Sequence, residues 1–450
     1  VTKGIAALPL LAVPDSVLGS GDFVRYEAEL AATAGPIFRY RPESGPAAGE
    51  DLVFMLGPEA NRFVMHTERH RFSHDKGWTP IVGEFMGRGL LNMDDPPHDA
   101  HRKMWNPAFT AAAMDAYLPV LQRIIVERTA TWPAEAISDV YIGARDITFD
   151  AAAAALAGFE RGADVDRMRE LFYILLHGFD PELSDGDNMM RMFNANTALN
   201  EMLTTLIAQR RVGERAGDVL SQMLDAVDDD GNGLSDEQLH GHLMILLVAG
   251  HETTTTLSAW ALYMLAKRPE LRQRMEAELA EALATARAAG ESWEENGPPP
   301  VSVLRRLSFM DNFIKETGRL FPPVFHAPRG VLEPFEFGGY EIPAGTRIRL
   351  ALAGTHLLPS VFADPYTFDP DRFAPPRRED RETPYGLVTF GGGPRICIGI
   401  NFANIEVKLL LAHMIQHYDI ALVPGQEYLH SGYWTAYVPY GVKLHISPRK

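Results

Sequence analysis

One long helix constrains the fold of this chain more than any other feature of its sequence. A capping box formed by Ser235 and Gln238 predicts where the helix begins, and Pro269 marks its end. At about 1.5 Å per residue such a helix is roughly 50 Å long. Because the residues between these ends are largely apolar, we expect the helix to cross the core of a helix-dominated protein.

The centre of this helix is a locally poor helix sequence. It reads Ala249-Gly250-His251-Glu252-Thr253-Thr254-Thr255-Thr256. Glycine costs about 1 kcal/mol relative to alanine inside a helix, and threonine is β-branched and can bond its own backbone. A polar, weakly helical segment in the middle of an apolar helix therefore requires a reason other than helix stability.

The composition excludes several classes of protein. Hydrophobic residues make up 46% of the 450 residues, which is typical of a globular chain rather than a disordered one. The net charge of −17 argues against a protein that follows nucleic-acid phosphates. The apolar stretch at 5–13 is too short to span a bilayer and lacks a convincing cleavage site. We therefore expect a cytoplasmic protein with no membrane span and no nucleic-acid partner.

The order of residue patterns predicts a mainly α fold with small β-sheets in one domain spanning 1–450. Short apolar runs between prolines and glycines predict β-rich parts at about 35–70 and 325–355. Helix is expected over most of 97–211 and again over 401–418, and a hairpin is expected over 433–446. No fused reductase is expected within this length.

The single cysteine, Cys397, lies in a glycine-rich segment. The segment reads Phe390-Gly391-Gly392-Gly393-Pro394-Arg395-Ile396-Cys397-Ile398-Gly399. Its glycines allow backbone to approach a flat ligand, and a helix beginning near Asn401 would favour a thiolate at Cys397. One thiol forms no internal disulfide, all-cysteine zinc site or iron–sulfur cluster. The structural alternative is a buried cysteine in a glycine-rich turn.

Four further motifs accompany the cysteine segment: Pro97-His98-Asp99-Ala100-His101-Arg102, Ala249-Gly250-His251-Glu252-Thr253-Thr254, Glu316-Thr317-Gly318-Arg319 and Pro370-Asp371-Arg372-Phe373. Together they resemble the motifs of the cytochrome P-450 family, the haem-thiolate monooxygenases. The cysteine segment matches that family's Phe-x-x-Gly-x-Arg-x-Cys-x-Gly pattern at every position. Two motifs depart from the usual form, with Glu252 where many members have Asp and Asp371 where Glu is usual. The resemblance covers roughly 97–450.

The resemblance implies a cytochrome P-450 fold in which haem b lies between the long central helix and the cysteine segment. It implies that Cys397 ligates the iron, where a thiolate favours O–O cleavage. It also implies that His98, Arg102, Arg329 and Arg395 contact the haem propionates, whose charges would be costly to bury without partners. The structural alternative for each arginine is a solvated surface charge.

The resemblance assigns catalytic roles to Glu252 and Thr253, which would deliver protons to dioxygen bound at the iron. The alternative for Thr253 is a hydroxyl that bonds back to the preceding helical turn. Glu316, Arg319 and Arg372 are expected to form a buried structural ion-pair cluster that holds the segment carrying Cys397.

The function implied by the resemblance is a monooxygenase that inserts one oxygen atom of dioxygen into a hydrophobic substrate by hydroxylation or epoxidation. Because the chain has no Gly-x-Gly-x-x-Gly loop after a strand and no phosphate-binding loop, its electrons are expected from a separate ferredoxin or flavodoxin-type donor with its reductase. A local basic patch is expected to dock that donor, and it comprises Arg102, Lys103, Arg395 and Lys408. The alternatives are a peroxide-driven haem-thiolate peroxygenase, a non-enzymatic haem-thiolate sensor, and a haem-thiolate isomerase or dehydratase.

Candidates for lining the substrate pocket follow from the family layout: 78–91, Leu243, Leu246, Leu247, 324–327 and Trp434. Most are apolar, which favours a hydrophobic substrate, and His326 is the polar exception; the alternative for each is plain core. The stretch from Lys76-Gly77-Trp78 to Gly89-Leu90-Leu91 resembles fatty-acid-hydroxylating members of the family, which implies a long-chain acid or a terpenoid-like substrate. Two apparent metal motifs fail. The acidic loop beginning at Asp228 has Leu239 where a calcium loop needs Glu, and the His251-Glu252 pair lacks the second histidine of a zinc helix.

Overall fold

The structure is a computed structural model that describes residues 3–18, 20–43, 48–132, 136–177, 182–293, 299–432, 436–438 and 440–449. In chain order the helices are α1 (Gly21–Ala34), α2 (Pro58–Arg62), α3 (Asp75–Met86), α4 (Pro97–Trp105), α5 (Ala111–Thr129), α6 (Val140–Ala157), α7 (Ala163–His177), α8 (Asp185–Val212), α9 (Val219–Asp225), α10 (Asp236–Lys267), α11 (Pro269–Ala288), α12 (Val301–Leu304), α13 (Ser308–Leu320), α14 (Leu352–Thr355), α15 (Glu379–Glu382) and α16 (Ile400–His417). The strands are β1 (Ile37–Tyr40), β2 (Leu52–Met55), β3 (Phe72–Ser73), β4 (Ala136–Asp139), β5 (His326–Val331), β6 (Phe335–Phe337), β7 (Tyr340–Ile342), β8 (Arg347–Ala351), β9 (Tyr418–Leu422), β10 (Ser431–Gly432), β11 (Ala436–Tyr437) and β12 (Lys443–Pro448). The predicted mainly α class with small sheets is confirmed.

The long helix α10 begins and ends where its sequence signals predict. The Ser235 amide donates to Oε1 of Gln238 at 2.9 Å, and the Gln238 amide donates to Oγ of Ser235 at 3.2 Å. This is the reciprocal capping box that satisfies two amides at a helix start. Just before it, Oδ1 of Asp228 accepts the amides of Asp230 and Asn232, so the acidic loop is a turn.

The described residues cluster into two compact units. The first comprises 1–77, 129–144 and 253–450, and the second comprises 78–128 and 145–252. The helix α10 contributes residues to both. The expectation of a single domain over 1–450 stays a prediction.

A five-stranded sheet organises part of the first unit. Its strand order is β1-β2-β8-β5-β3, with β2 parallel to β8 and the other pairs antiparallel. Alternate residues of β2 enter different apolar clusters, since Val53 and Met55 lie in one cluster while Leu52 and Phe54 lie in another. Both faces of the strand are therefore buried, which explains why β2 is a continuous apolar run.

The C-terminal strands pair differently from the expected hairpin over 433–446. In the first unit β12 lies between β4 and β9, and both pairings are antiparallel. The short strand β11 pairs with β10 rather than with β12. Residues 433–435, including Trp434, lie outside the described residues. The local hairpin is thus replaced by pairings with segments distant in the chain.

The second unit is held together by charged groups as well as by apolar packing. Asp150 on α6 has a side chain only 1% exposed and accepts from Nε of Arg128 at 2.6 Å and from Nη1 of Arg169 at 2.7 Å. Since Arg128 lies on α5 and Arg169 on α7, one carboxylate connects three helices. A buried carboxylate paired in this way is costly to separate from its partners.

No single helix within the described ranges is long and apolar enough to cross a membrane. Two consecutive helical segments, Pro97–Phe109 and Ala111–Thr129, are together long and apolar enough, but they are bent by 55° relative to each other.

Candidate functional site

Backbone hydrogen bonds hold the segment around Cys397 in the first unit. The Cys397 amide donates to the Phe390 carbonyl at 2.9 Å, and the Gly391 amide donates to the Val388 carbonyl at 2.8 Å. The thiol of Cys397 itself is exposed. The helix α16 begins at Ile400, three residues later, so its positive end lies near the sulfur in sequence and favours an anion there. The segment therefore presents a soft donor on a backbone fixed by its own hydrogen bonds.

Two glycines of this segment are required by its geometry. Gly391 and Gly393 have φ angles of 72° and 67°, in the left-handed region that other residues rarely adopt. A Cβ on Gly393 would also lie far inside van der Waals contact with the Met65 carbonyl oxygen. Close backbone approach and left-handed turns thus explain glycine at both positions.

Two of the predicted propionate contacts belong to the first unit. Arg395 is half-buried at the end of the short 3₁₀ turn Gly393–Arg395, two residues before Cys397. Arg329 lies on the interior strand β5 and is 7% exposed. Its Nη1 donates to the Pro328 carbonyl at 2.7 Å. Arg329 is therefore not the solvated surface arginine of the structural alternative, and the roles of both residues as propionate contacts stay predictions.

The ion-pair cluster expected from the sequence is present and buried. Glu316 on α13 accepts from Nε and Nη2 of Arg319 at 2.7 and 2.8 Å, and from Nε of Arg372 at 3.0 Å. All three residues have 0% exposure. Nη1 of Arg372 also donates to Glu379 at 2.7 Å, and Nη1 of Arg319 donates to two backbone carbonyls. Charges so buried are tolerable only with partners of this number and quality.

Two further hydrogen bonds connect α13 to the start of the cysteine segment. Nδ1 of the fully buried His356 donates to the Arg319 carbonyl at 3.1 Å, while its Nε2 accepts the Val388 amide at 3.0 Å. Burial, with the nearby charge of Arg319, lowers the pKa of His356 to about 3. Oγ1 of Thr389 donates to the Gly318 carbonyl at 3.1 Å. A neutral His356 thus connects Arg319 of the ion-pair cluster to Val388, which lies two residues before Phe390.

In the second unit, α4 places three nitrogen-bearing side chains at positions that share one helical face. They are His98, Arg102 and Trp105, spaced four and three residues apart. His98 is 2% exposed, and its Nδ1 lies 3.2 Å from Oδ1 of Asp99. Because a carboxylate only accepts, Nδ1 carries a proton and Nε2 is turned to the other side of the ring.

The other two side chains on this face differ in their hydrogen bonding. Nε of Arg102 donates to Oδ1 of Asn106 at 2.9 Å, which fixes one edge of the guanidinium. Trp105 is 1% exposed, and its Nε1 has no hydrogen-bond partner among the described residues. Buried N–H groups rarely lack acceptors, so this indole is suited to an acceptor that the polypeptide does not supply.

The polar centre of α10 does not pack like the rest of the helix. Thr254, Thr255 and Thr256 are fully buried, whereas Thr253 is half-exposed. A Cβ on Gly250 would meet no heavy atom of the neighbouring elements closer than 3.6 Å, an ordinary contact. Packing therefore does not require glycine at position 250. A role of this weak helical turn in function, rather than in packing, is therefore consistent with the structure.

Glu252 is buried, with a side chain 1% exposed, and it lies between two histidines of the second unit. Its Oε1 is 2.6 Å from Nε2 of His177, the last residue of α7, and its Oε2 is 3.5 Å from Nε2 of His251. Nδ1 of His251 donates to the Leu247 carbonyl at 2.6 Å. Burial, together with the charges of His177 and Arg145, lowers the pKa of His251. The sequence predicted Glu252 but not its histidine partner.

His326 has the environment of a core residue, which was the alternative to a position in the substrate pocket. Its side chain is 4% exposed and its Nε2 lies 2.8 Å from Oε1 of Glu27. The rings of Phe23 and Phe54 lie 5.8 and 5.4 Å from its ring. Within the first unit His326 is therefore a core residue paired with a buried carboxylate. Of the other pocket candidates, Leu243 and Leu247 are buried, and Trp434 lies outside the described residues.

The expected basic patch loses one member. Lys408 on α16 is 8% exposed, and its Nζ donates to the Leu304 carbonyl at 3.0 Å and pairs with Asp311 at 2.5 Å. Lys103 is exposed and pairs with Asp229 at 2.9 Å. Lys408 is thus a structural cation and not part of a docking surface.

Three residues with roles in this geometry have no signal in the sequence: Trp105, His177 and His356. A lone tryptophan in an amphipathic helix is ordinary core, and an isolated histidine carries no motif. Each acquires significance only from a partner, or a missing partner, that is far away in the chain.

Comparisons with known proteins agree with the motifs. A model of the cytochrome P450 family matches residues 16–439. The putative cytochrome P450 136 of Mycobacterium tuberculosis is 30% identical over 93% of this chain and 82% of its own length. Cyclooctatin synthase of Streptomyces melanosporofaciens is 29% identical over 85% of both chains. Among solved structures, retinoic acid-bound cyanobacterial CYP120A1 is 27% identical, has a TM-score of 0.83, and matches 100% of this chain and 99% of its own.

Proposed function

Since the chain belongs to the cytochrome P450 family of monooxygenases, we propose that it inserts one oxygen atom of dioxygen into a hydrophobic fatty acid or terpenoid-like substrate by hydroxylation or epoxidation, with electrons from a separate protein. The observation that carries the proposal is the exposed thiol of Cys397 on a backbone held by its own hydrogen bonds. The haem that this family binds supplies dioxygen activation when its iron is ligated by a thiolate.

The residues present fit haem b. Cys397 offers the soft donor that haem iron takes in this family, and the left-handed Gly391 and Gly393 leave the backbone of its segment without side chains at the turns. In the second unit, the indole N–H of Trp105 is buried without an acceptor, which an anionic group would satisfy. His98 and Arg102 share its helical face, and the guanidinium of Arg102 supplies positive charge for the same purpose.

The chain's own residues would have separate tasks. His98, Arg102, Arg329 and Arg395 would hold the propionates by charge-assisted hydrogen bonds. The cluster of Glu316 and its two arginines would hold the backbone that carries the cysteine.

Glu252 and Thr253 would hold and deliver the protons that the oxygen chemistry requires. The buried carboxylate of Glu252 would hold a proton at Oε1 or Oε2, and the Thr253 hydroxyl would donate a hydrogen bond and be replenished by its neighbour. The half-exposed position of Thr253 among buried threonines supports this division. Thr253→Ala should therefore retain haem yet divert reducing equivalents to hydrogen peroxide, and unchanged coupling would remove Thr253 from the mechanism.

Two properties of relatives and of the chain support the substrate class. Retinoic acid, bound by the cyanobacterial neighbour, is an isoprenoid carboxylic acid with a long apolar chain. The candidate pocket residues Leu243, Leu246 and Leu247 are apolar. A spectroscopic screen for substrate-induced spin-state shift, with fatty acids, terpenoids, steroids and macrolides as probes, tests the preference. Shifts confined to steroids or macrolides would reject it.

The electron donor is proposed to be a ferredoxin or flavodoxin-type protein with its reductase. The chain has no recognisable flavin or nicotinamide loop to supply electrons itself. Because Lys408 is buried, the proposed docking surface keeps three cations: Arg102, Lys103 and Arg395. If docking depends on these charges, the rate of docking should fall as ionic strength rises. A reduction rate that is insensitive to salt would reject this docking surface.

One spectrum tests the core of the proposal. Reduced protein with carbon monoxide should give the strongly red-displaced Soret maximum of thiolate-ligated haem, and Cys397→Ser should abolish it. Ile396→Ser, at the exposed neighbouring residue, is the control and should leave the spectrum intact. A purified protein without porphyrin, or a Cys397→Ser variant with an unchanged spectrum, would overturn the proposal.

The alternatives have distinct outcomes in the same preparation. Turnover with hydrogen peroxide alone that equals turnover with a reductase would identify a peroxygenase. A haem-thiolate spectrum that responds to none of the lipophilic probes would favour a sensor. Conversion of a probe without any external electrons would favour an isomerase or dehydratase.

A further inference from the structure

We propose that His177 passes protons from water to Glu252, acting through that carboxylate as a positioning residue for the proposed oxygen chemistry. The inference rests on the proposed function, since Glu252 is the expected proton donor there. Nothing in the motifs assigns a role to His177. The observation that carries the inference is a short contact between a partly exposed imidazole and a buried carboxylate in the second unit.

The contact has the geometry of a proton-transfer pair. Nε2 of His177 lies 2.6 Å from Oε1 of Glu252, within the range of a charge-assisted hydrogen bond. The two side chains differ in solvent access, since that of His177 is 15% exposed and that of Glu252 is 1% exposed. The imidazole therefore reaches water while the carboxylate does not. Thr253 follows Glu252 directly in α10, so a proton taken up by Glu252 is one residue from the expected site of use.

The second histidine beside Glu252 is less suited as a proton source. Nδ1–H of His251 is committed to the Leu247 carbonyl at 2.6 Å. Burial lowers the pKa of His251, and the charge of Arg145 acts in the same direction, which disfavours a second proton on this ring. Its Nε2 lies 3.5 Å from Oε2 of Glu252, farther than the 2.6 Å contact made by His177. The shorter contact and the greater exposure both favour His177.

Charged and titratable groups from three helices of the second unit lie around the pair. Arg145 on α6 lies over the ring of Tyr173, with its guanidinium carbon 4.2 Å from the ring centroid. Tyr173 on α7 lies 5.7 Å from the His177 ring, measured between centroids. From α10, His251 faces Glu252.

The transfer balances without electrons. Protonated His177 gives the Nε2 proton to Oε1 of Glu252, which leaves a neutral imidazole and a neutral carboxyl group. The side chain then turns so that the vacant Nε2 meets water and takes up a proton there, after which the ring returns to Glu252, and the carboxyl group passes its own proton onward. Imidazole suits this cycle because it gains and loses protons near neutral pH, which arginine and lysine do not.

The decisive variants are His177→Gln and His177→Ala. Glutamine keeps a side-chain N–H that can donate to Glu252, but it cannot take up and release a proton, whereas alanine loses both properties. The readout is the fraction of NADPH electrons recovered as hydrogen peroxide with a surrogate ferredoxin and its reductase and without added substrate. This fraction needs no identified substrate, because impaired proton delivery favours peroxide over water. His240→Asn is the matched control, because His240 is a half-buried histidine of α10 that lies twelve residues before Glu252.

Both His177 variants should raise the peroxide fraction by about threefold, a modest effect for a proton-transfer group because water partly replaces it. His177→Gln should show this rise as fully as His177→Ala, because neither side chain can take up and release a proton. His240→Asn should behave as the parent does. A His177→Gln variant with the parental peroxide fraction, while His177→Ala is impaired, would reduce His177 to a hydrogen-bond donor and overturn the transfer. Parental behaviour of both variants would remove His177 altogether.

A second measurement does not depend on activity. The shifts in unfolding midpoint of His177→Ala and Glu252→Gln should be non-additive in the double variant if the pair is formed in solution. Additive shifts would overturn the contact on which the inference depends. Failure of the proposed function is distinguishable, because parent and variants alike would then lack the red-displaced carbon monoxide spectrum.

Discussion

The hydrogen bonds of His356 make a quantitative prediction about how the cysteine segment is held. The imidazole is fully buried, donates from Nδ1 to the Arg319 carbonyl and accepts the Val388 amide at Nε2. Because burial and the Arg319 charge lower its pKa to about 3, the ring is neutral at working pH and its single proton is on Nδ1. Each of its two nitrogens thus satisfies one buried backbone group.

Replacement of His356 by phenylalanine keeps a ring of similar size and removes both hydrogen bonds. Each backbone group left unsatisfied costs about 1–3 kcal/mol, so the variant should lose about 2–6 kcal/mol of unfolding free energy. For a chain of 450 residues the unfolding entropy is about 1 kcal/mol per degree, so the thermal midpoint should fall by about 2–6 °C. His356→Gln retains a donor and an acceptor and should lose less than half as much.

The position of Val388 adds a local consequence. Its amide lies two residues before Phe390, whose carbonyl accepts the Cys397 amide. When the Val388 amide loses its acceptor, the backbone that carries the thiol is less restrained. We therefore expect His356→Phe to shift part of the reduced carbon monoxide spectrum away from the red-displaced thiolate form.

A matched control separates the local effect from general destabilisation. His413 on α16 is buried, has a pKa lowered by burial to about 3, and bonds Oγ1 of Thr129 at 2.8 Å. His413→Phe should lower the thermal midpoint and leave the thiolate spectrum unchanged. The reasoning is refuted if His356→Phe changes neither quantity, or if His413→Phe disturbs the spectrum equally.

Three other predictions concern single groups. Burial lowers the pKa of His242, His356 and His413 to about 3, so each binds more protons in the unfolded state than in the folded state below pH 6.5. The free energy of unfolding should therefore be highest above pH 6.5 and should be lower at pH 5 by about 2 kcal/mol for each of these histidines. Denaturant titrations at several pH values measure this, and a free energy of unfolding that does not change with pH would contradict the burial. Gly250→Ala should fold with an unchanged or slightly higher thermal midpoint, since no neighbouring element lies closer than 3.6 Å to the added Cβ, and a large loss would reveal a packing requirement. Trp105→Phe should leave the haem-free protein no less stable, because the change removes a buried donor that has no acceptor. In the haem-bound protein the same change should increase the rate of haem transfer to apomyoglobin by about tenfold. An unchanged transfer rate would show that the indole N–H has no acceptor in the haem-bound protein either.

The ends of α10 show what local signals are able to predict. The capping box at Ser235 and the proline at 269 each act on neighbouring backbone, and the observed helix agrees with both. The glycine-rich segment around Cys397 is equally local, because left-handed φ angles and backbone turns are properties of consecutive residues. The acidic loop at Asp228, which lacks the Glu of a calcium loop, is likewise a local turn.

The errors have the opposite origin. A lysine is usually a surface residue, but Lys408 lies on the buried side of α16. Its ammonium group contacts the Leu304 carbonyl and the Asp311 carboxylate, which come from other segments of the chain. The sequence left both core and pocket open for His326, and Glu27, 299 residues away in the chain, pairs with it in the core. The strand β12 was expected to pair within a local hairpin, but it pairs with β4 and β9.

By itself the sequence determined the class of fold, the family, the thiolate candidate and the ends of the principal helix, because each depends on residues that are adjacent or at fixed spacing along the chain. Only the tertiary structure decided which side chain faces Glu252, which ring holds the Val388 amide, and which buried indole has no acceptor. These depend on distances between segments far apart in the chain, and a hydrogen bond forms or fails within a few tenths of an ångström that no sequence pattern records.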